Sequence, residues 1–165
     1  NIHATFWVIG ANVVLLPDVL KATYLAGHQI GIHTWAHRHL TNLTDDQIVA
    51  ELVYGAKAIK EVLGIVPKYY RPPYGDQDIR VRTLAAMMGL TTVVWSLDSQ
   101  DWTWVGTPNI TKVPLEFTSW AAQNVTYPIS LEHDYWPDST AMALKSMEIL
   151  LAKGRQILPL SDCLG

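Results

Sequence analysis

Apolar residues along this chain fall into short blocks that alternate between two periodicities. Ala4-Thr5-Phe6-Trp7-Val8-Ile9-Gly10 is a continuous aromatic and β-branched run closed by a glycine, and predicts a buried strand. From Val13 to Leu25 the apolar positions recur at helical spacing, with Pro17 near the first turn and Gly27 just past the end. Residues 28–32 read as a brief strand. Thr44, followed three residues on by Gln47, is a capping-box signature for a helix that runs to Leu63 and stops at Gly64. The succession continues with a strand over 66–70, a helix over 78–88 and a strand over 91–95. After a loop rich in Trp, Thr, Gly and Pro come a helix over 112–123, a strand over 127–131, a helix over 139–152 and a last strand over 156–160. Strand and helix alternating about six times predict an α/β fold with a parallel sheet covered by helices, either a barrel or a doubly wound sheet. A full eight-stranded barrel needs about 250 residues, so 165 residues predict one domain that, if a barrel, is either smaller or missing pieces. No linker, low-complexity tract or internal repeat divides the chain.

Composition narrows the function. Hydrophobic residues make up 49%, enough for a real core, and charged residues only 16%, with a net charge of −3 that is of the wrong sign for a nucleic-acid partner. No apolar run approaches the ~18 residues of a membrane span. Seven Trp and seven Tyr against two Phe favour aromatics that join a flat apolar face to a polar edge, as a surface stacking on sugar rings would, although any single one can equally pack the core. Asn42-Leu43-Thr44, Asn109-Ile110-Thr111 and Asn124-Val125-Thr126 fit the N-glycosylation pattern and point to a secreted, extracellular or cell-wall glycoprotein. The chain opens at Asn1 without a Met or a leader, which reads as a processed or incomplete front end. Its single cysteine, Cys163, asks for an intermolecular partner or remains a free thiol.

In parallel α/β folds the active site lies at the carboxyl ends of the strands, and the unusual polar residues follow that rule. His33-Thr34-Trp35-Ala36-His37 follows one strand, Arg71-Pro72-Pro73-Tyr74-Gly75-Asp76 the next, Asp98-Ser99-Gln100-Asp101-Trp102 a third, and Glu132-His133-Asp134 follows Leu131. Two histidines four apart on one face of a helical turn can both reach a single zinc ion; the competing reading is a solvated loop. Consecutive prolines after Arg71 make a stiff turn that holds the Arg head and the Tyr74 N–H in fixed directions, or serve only as a strand-to-helix turn. His133, with acidic neighbours, is a candidate general acid, and Asp98 or Asp101 could orient it.

These residues together resemble the polysaccharide deacetylases, the family 4 carbohydrate esterases with the NodB homology domain, and especially the fungal chitin deacetylases. The family patterns A-T-F-F-x-x-G, H-[ST]-x-x-H, R-P-P-Y-G, D-x-x-D-W and L-x-H-D are matched in order by Ala4 to Gly10, His33 to His37, Arg71 to Gly75, Asp98 to Trp102 and Leu131 to Asp134. The resemblance covers nearly the whole chain and implies a distorted (β/α) barrel of about seven strands. It implies that His33 and His37 bind a divalent metal, Zn2+ or another such as Co2+, and that Arg71 orients a catalytic carboxylate. It further implies that the Tyr74 N–H contributes to an oxyanion hole, Trp102 walls a substrate groove, Leu131 lines a pocket for the acetyl methyl, and His133 acts as general acid, with Asp101 favoured as its support. The substrate implied is chitin or chitooligosaccharide, with acetate released.

The family's first motif, T-F-D-D-G-P, has no counterpart in this sequence. Its two aspartates supply the catalytic base and the third metal ligand, so the resemblance implies a barrel without its first strand here. One expectation is a companion N-terminal peptide of the same precursor that carries the aspartates and is disulfide-linked through Cys163, as fungal relatives tie the two ends of the domain. The alternatives are a degenerate relative that keeps the groove and only binds glycans, and an amidase of the same superfamily acting on small amides.

Overall fold

The computed structural model describes residues 2–123 and 127–164; Asn124, one of the three glycosylation candidates, lies outside them. The chain is α/β and forms two compact units. The first comprises His3–Val94 with the C-terminal residues from Pro159, and the second Trp95–Leu158.

The first unit is built on a four-stranded parallel sheet of β1 (Thr5–Val8), β2 (Gln29–Ile32), β3 (Tyr69–Tyr70) and β4 (Thr91–Thr92), in that spatial order. Thr5 pairs with Gln29 and Val8 with Ile32, Ile32 with Tyr70, and Tyr70 with Thr92. Between the strands run α1 (Gly10–Leu15), α2 (Pro17–Leu25), α3 (Asp45–Leu63) and α4 (Ile79–Met87). The single helix expected from Val13 to Leu25 is in fact two, broken at Leu16 with φ −131° and ψ 54°, because a residue that precedes proline is driven out of the helical region. The capping box of α3 forms as its sequence implies: Thr44 Oγ1 accepts the Gln47 N–H at 3.4 Å and the Gln47 side chain accepts the Thr44 N–H at 3.0 Å. Gly64 closes the helix in the left-handed conformation at φ 73°. On the inner face of α3, Ile48, Leu52 and Ile59 are buried beside Ile32, Tyr70 and Val81, each contributing about 1.5–3 kcal/mol through apolar burial.

The second unit pairs β5 (Leu97–Asp98) with β6 (Ser130–Leu131) in parallel. Its helices are α5 (Asp101–Trp104), α6 (Val113–Ala122) and α7 (Pro137–Ala152). Ile110, Val113, Phe117 and Met142 form its core, and Arg155 donates to the carbonyls of Ala121 and Gln123 at the end of α6.

Six strands form among the described residues, in two parallel sheets, and several are shorter than the apolar runs suggest. The run over 66–70 pairs only at its last two residues and the run over 127–131 only at 130–131, since Pro67 and Pro128 have no N–H for a ladder. The strand expected over 156–160 does not form. The Pro159 carbonyl instead accepts the N–H groups of Asp162 and Cys163 and starts α8 (Leu160–Leu164), while the Leu160 N–H donates to Thr5 Oγ1 at 2.8 Å. No helix among the described residues is long and apolar enough to cross a membrane.

α3 comes close to the end of β2 because Gly55 has no side chain. A Cβ there would lie 3.0 Å from the Thr34 carbonyl oxygen and 3.1 Å from Ile32 Cγ2. Alanine is the better helix former, but Gly55→Ala must displace backbone, so a net loss of about 1–2 kcal/mol in urea unfolding is expected; unchanged stability would mean that the approach carries no constraint.

Candidate active site

β2 runs straight into the first histidine. The His33 N–H donates to the Val8 carbonyl at 2.9 Å and so extends the ladder by one residue. The chain then turns sharply, with Thr34 at φ 65° and His37 at φ 55°, a left-handed conformation that non-glycine residues adopt only where the surroundings enforce it. The two histidines therefore do not share a helical face, as their spacing suggests, but lie at either end of an irregular turn. Thr34 Oγ1 accepts the His37 N–H at 3.0 Å and locks it. The turn brings the two imidazoles together, with ring centroids 4.8 Å apart and planes at 72°.

His33 Nδ1 lies 2.7 Å from the Arg71 carbonyl oxygen. A carbonyl can only accept, so Nδ1 carries the proton and a neutral ring has its lone pair on Nε2, the arrangement found in metal-ligating histidines. His37 Nδ1 is 3.2 Å from the Tyr74 hydroxyl. The donor set thus fits a pair of imidazole ligands to one divalent ion. No group of three His, Cys, Asp or Glu side chains gathers among the described residues, so a complete ligand set needs donors beyond these two.

Arg71 begins the stiff turn after β3. Its N–H donates to the Ile32 carbonyl at 2.9 Å, and its buried guanidinium lies 4.7 Å over the Trp7 ring. Burial lowers its pKa to about 10, which leaves it a cation at neutral pH. Pro73, Tyr74 and Gly75 make a 3-10 turn in which Tyr74 is left-handed, φ 60° and ψ 7°. The Tyr74 ring is 58% exposed, stacked on His39 at 3.9 Å and edge-on to His37 at 4.8 Å. His39 and Asp76, whose carboxylate holds the Thr41 N–H and hydroxyl, brace this corner.

In the second unit, β5 and β6 end side by side and deliver Asp101 and His133. Asp101 is 1% exposed. Its Oδ2 accepts the His133 N–H at 2.7 Å, its Oδ1 lies 2.7 Å from His133 Nδ1, and Oδ1 also accepts the Trp102 N–H at 2.9 Å. Burial pushes the Asp101 pKa up, but the hydrogen bonds and charge of His133 outweigh it and leave it lowered. Asp98 does not join the pair and accepts the Gln100 N–H instead. Trp102 is 54% exposed on α5, and Leu131 is half-buried on β6. Asn42 and Asn109 are exposed, and Cys163 is half-buried in α8.

Glu132 lies between Leu131 and His133. Its Oε2 is buried with no hydrogen-bond partner among the described residues. Burial, and then the charge of Asp101, raise its pKa to about 7. Its sequence signal was a carboxylate directly after an apolar strand.

A family model described as polysaccharide deacetylase matches residues 1–93. Chitin deacetylase 1 of Cryptococcus neoformans var. grubii is 41% identical over 182 aligned residues, covering 100% of this chain and 39% of that protein. The chitin deacetylase of Amylomyces rouxii is 34% identical, covering 99% of this chain and 40% of the relative. The chain therefore spans about two fifths of the length of these curated relatives. The structure of the chitin deacetylase from Colletotrichum lindemuthianum superposes with a TM-score of 0.90 at 25% identity, covering 99% of this chain and 76% of that one.

Because the folded state holds the Glu132 proton up to about pH 7 while an unfolded glutamate releases it near 4.3, the contribution to stability is whole below the lower value and is lost as pH rises through the upper one. Glu132→Gln should remove this decline and stabilise the protein at pH 8 by on the order of 2–3 kcal/mol, read as denaturant midpoints across pH 4 to 8. Identical pH profiles for the two proteins would contradict it.

Proposed function

The chain belongs to the polysaccharide deacetylase family, and from that premise we propose that it removes acetyl groups from an N-acetylglucosamine polymer, chitin or chitooligosaccharide, in a metal-dependent hydrolysis. The observation that supports this most is the His33–His37 pair, with ring centroids 4.8 Å apart and the His33 tautomer fixed by the Arg71 carbonyl. His33 and His37 would hold Zn2+ or another divalent ion such as Co2+, which when bound supplies Lewis acidity to the amide carbonyl and to the attacking water.

The remaining steps fall to the chain's own groups. The Tyr74 N–H stabilises the negative charge that develops on the acyl oxygen as water adds to the carbonyl carbon. His133 then protonates the leaving nitrogen as the C–N bond breaks, giving acetate and a free glucosamine unit. With Nδ1 engaged by Asp101, Nε2 is the atom that delivers the proton, and Asp101 holds the ring in orientation for it. Trp102 supplies a flat face for a sugar ring, Leu131 an apolar contact for the acetyl methyl, and Arg71 a fixed cation that orients the base carboxylate.

That base, and the further metal ligand, are assigned to a companion segment outside this chain. Cys163 is the proposed tether. The glycosylation candidates Asn42 and Asn109, both exposed, suit a secreted protein acting at a cell wall.

His133→Ala should lower acetate release from chitin oligomers by about 10²–10⁴-fold without changing metal content; undiminished turnover would contradict its role, and a parent protein that binds the oligomers without releasing acetate would favour the glycan-binding reading. Intact-mass measurement of the natural protein should show a disulfide-linked peptide that is lost on reduction, and the same mass under both conditions would exclude the tether.

A further inference from the structure

The turn between His33 and His37 is held from outside by one carboxylate. Glu51, on the buried stripe of α3 beside Ile48, Leu52 and Gly55, is only 6% exposed. Its Oε2 accepts two successive peptide N–H groups, those of Trp35 at 2.9 Å and Ala36 at 2.8 Å. The carbonyls of the same turn are taken by α1: Gly10 N–H donates to Thr34 O at 2.9 Å and Ala11 N–H to Trp35 O at 3.0 Å. The Thr34 carbonyl among them belongs to a fully buried residue and would otherwise be a buried polar group at risk of lacking a partner. Glu51 is thus what converts a strained turn, left-handed at both Thr34 and His37, into a fixed mount for two imidazoles.

We propose that Glu51 is a positioning residue that sets the spacing of His33 and His37 and so tunes the affinity of the pair for a divalent ion. This rests on the reading of those histidines as metal ligands. Partners that orient ligands from behind commonly carry 10–100-fold in metal affinity. Glu51 differs from the usual case in that it acts through the backbone that joins the two imidazoles.

The geometry also specifies which substitution rescues. A glutamine keeps an oxygen at the position of Oε2, with the same acceptor capacity for two N–H groups; alanine removes it, and aspartate, one methylene shorter, withdraws it while keeping the charge. In competition titrations of Zn2+ against a chelator on the full-length natural protein, Glu51→Ala and Glu51→Asp should weaken binding by about 10–100-fold, and Glu51→Gln by no more than about threefold. Folded Ala and Asp variants that bind Zn2+ like the parent, or a Gln variant as weak as the Ala one, would overturn the proposal. A parent whose Zn2+ affinity is indifferent to His33→Ala and His37→Ala would instead show that the metal reading is wrong, and the proposal falls with it. If neither the Ala nor the Asp variant folds, amide exchange in the unmodified protein decides: slow exchange at Trp35 and Ala36 supports the bonds to Glu51, and rapid exchange excludes them.

Discussion

Four peptide groups of residues 34–36 find partners within the first unit, and the way they are paired fixes much of what surrounds them. Two carbonyls face the first N–H groups of α1 and two N–H groups face Glu51, so α1 and α3 must both come to the end of β2. The glycine at 55 is the condition for that approach, since a Cβ would meet the Thr34 carbonyl oxygen at 3.0 Å. An unpaired buried donor or acceptor costs about 1–3 kcal/mol, which is enough to hold Thr34 and His37 in a conformation that each would avoid alone. The pair of imidazoles is a by-product of that closure. His33 is placed by the ladder, His37 by the Thr34 hydroxyl, and the Arg71 carbonyl just past the neighbouring strand fixes the His33 proton.

A carboxylate also organises the second unit. Asp101 collects the backbone N–H and the imidazole of His133 together with the Trp102 N–H, and that set of donors outweighs the cost of burying its charge. Glu132, alongside and without such donors on its Oε2, titrates about where physiological pH begins. Two acids beside the same histidine, Glu132 next to it in sequence and Asp101 bonded to it from 32 positions away, thus hold opposite protonation tendencies because of what donates to them, and the sequence of either neighbourhood carries no sign of this difference.

Much of the architecture was legible in the order of apolar runs and turn signals. The capping box at Thr44 and the stop at Gly64 are local hydrogen-bond and backbone effects, and both appear where the residues dictate. Strand ends were less legible, because pairing depends on the partner strand and on prolines at 67, 128 and 159 that interrupt ladders otherwise favoured by composition. The spacing of His33 and His37 identified the pair correctly as neighbours but suggested a helical face, whereas a strand leading directly into the turn requires left-handed residues instead. Asp101 and His133, 32 positions apart, meet only because β5 and β6 pair in parallel. Glu51 had a visible signal, a charge on the apolar stripe of a helix, and its function follows only once the turn it caps is seen.

That His33 and His37 ligate one divalent ion is the claim on which the chemistry rests. X-ray absorption at the zinc edge of the zinc-loaded natural protein tests it directly. The predicted spectrum contains two imidazole nitrogens at about 2.0–2.1 Å, with the characteristic outer-ring scattering, and loses one of them in His37→Ala. A first shell of oxygen alone, or an imidazole count that does not change in that variant, would contradict it.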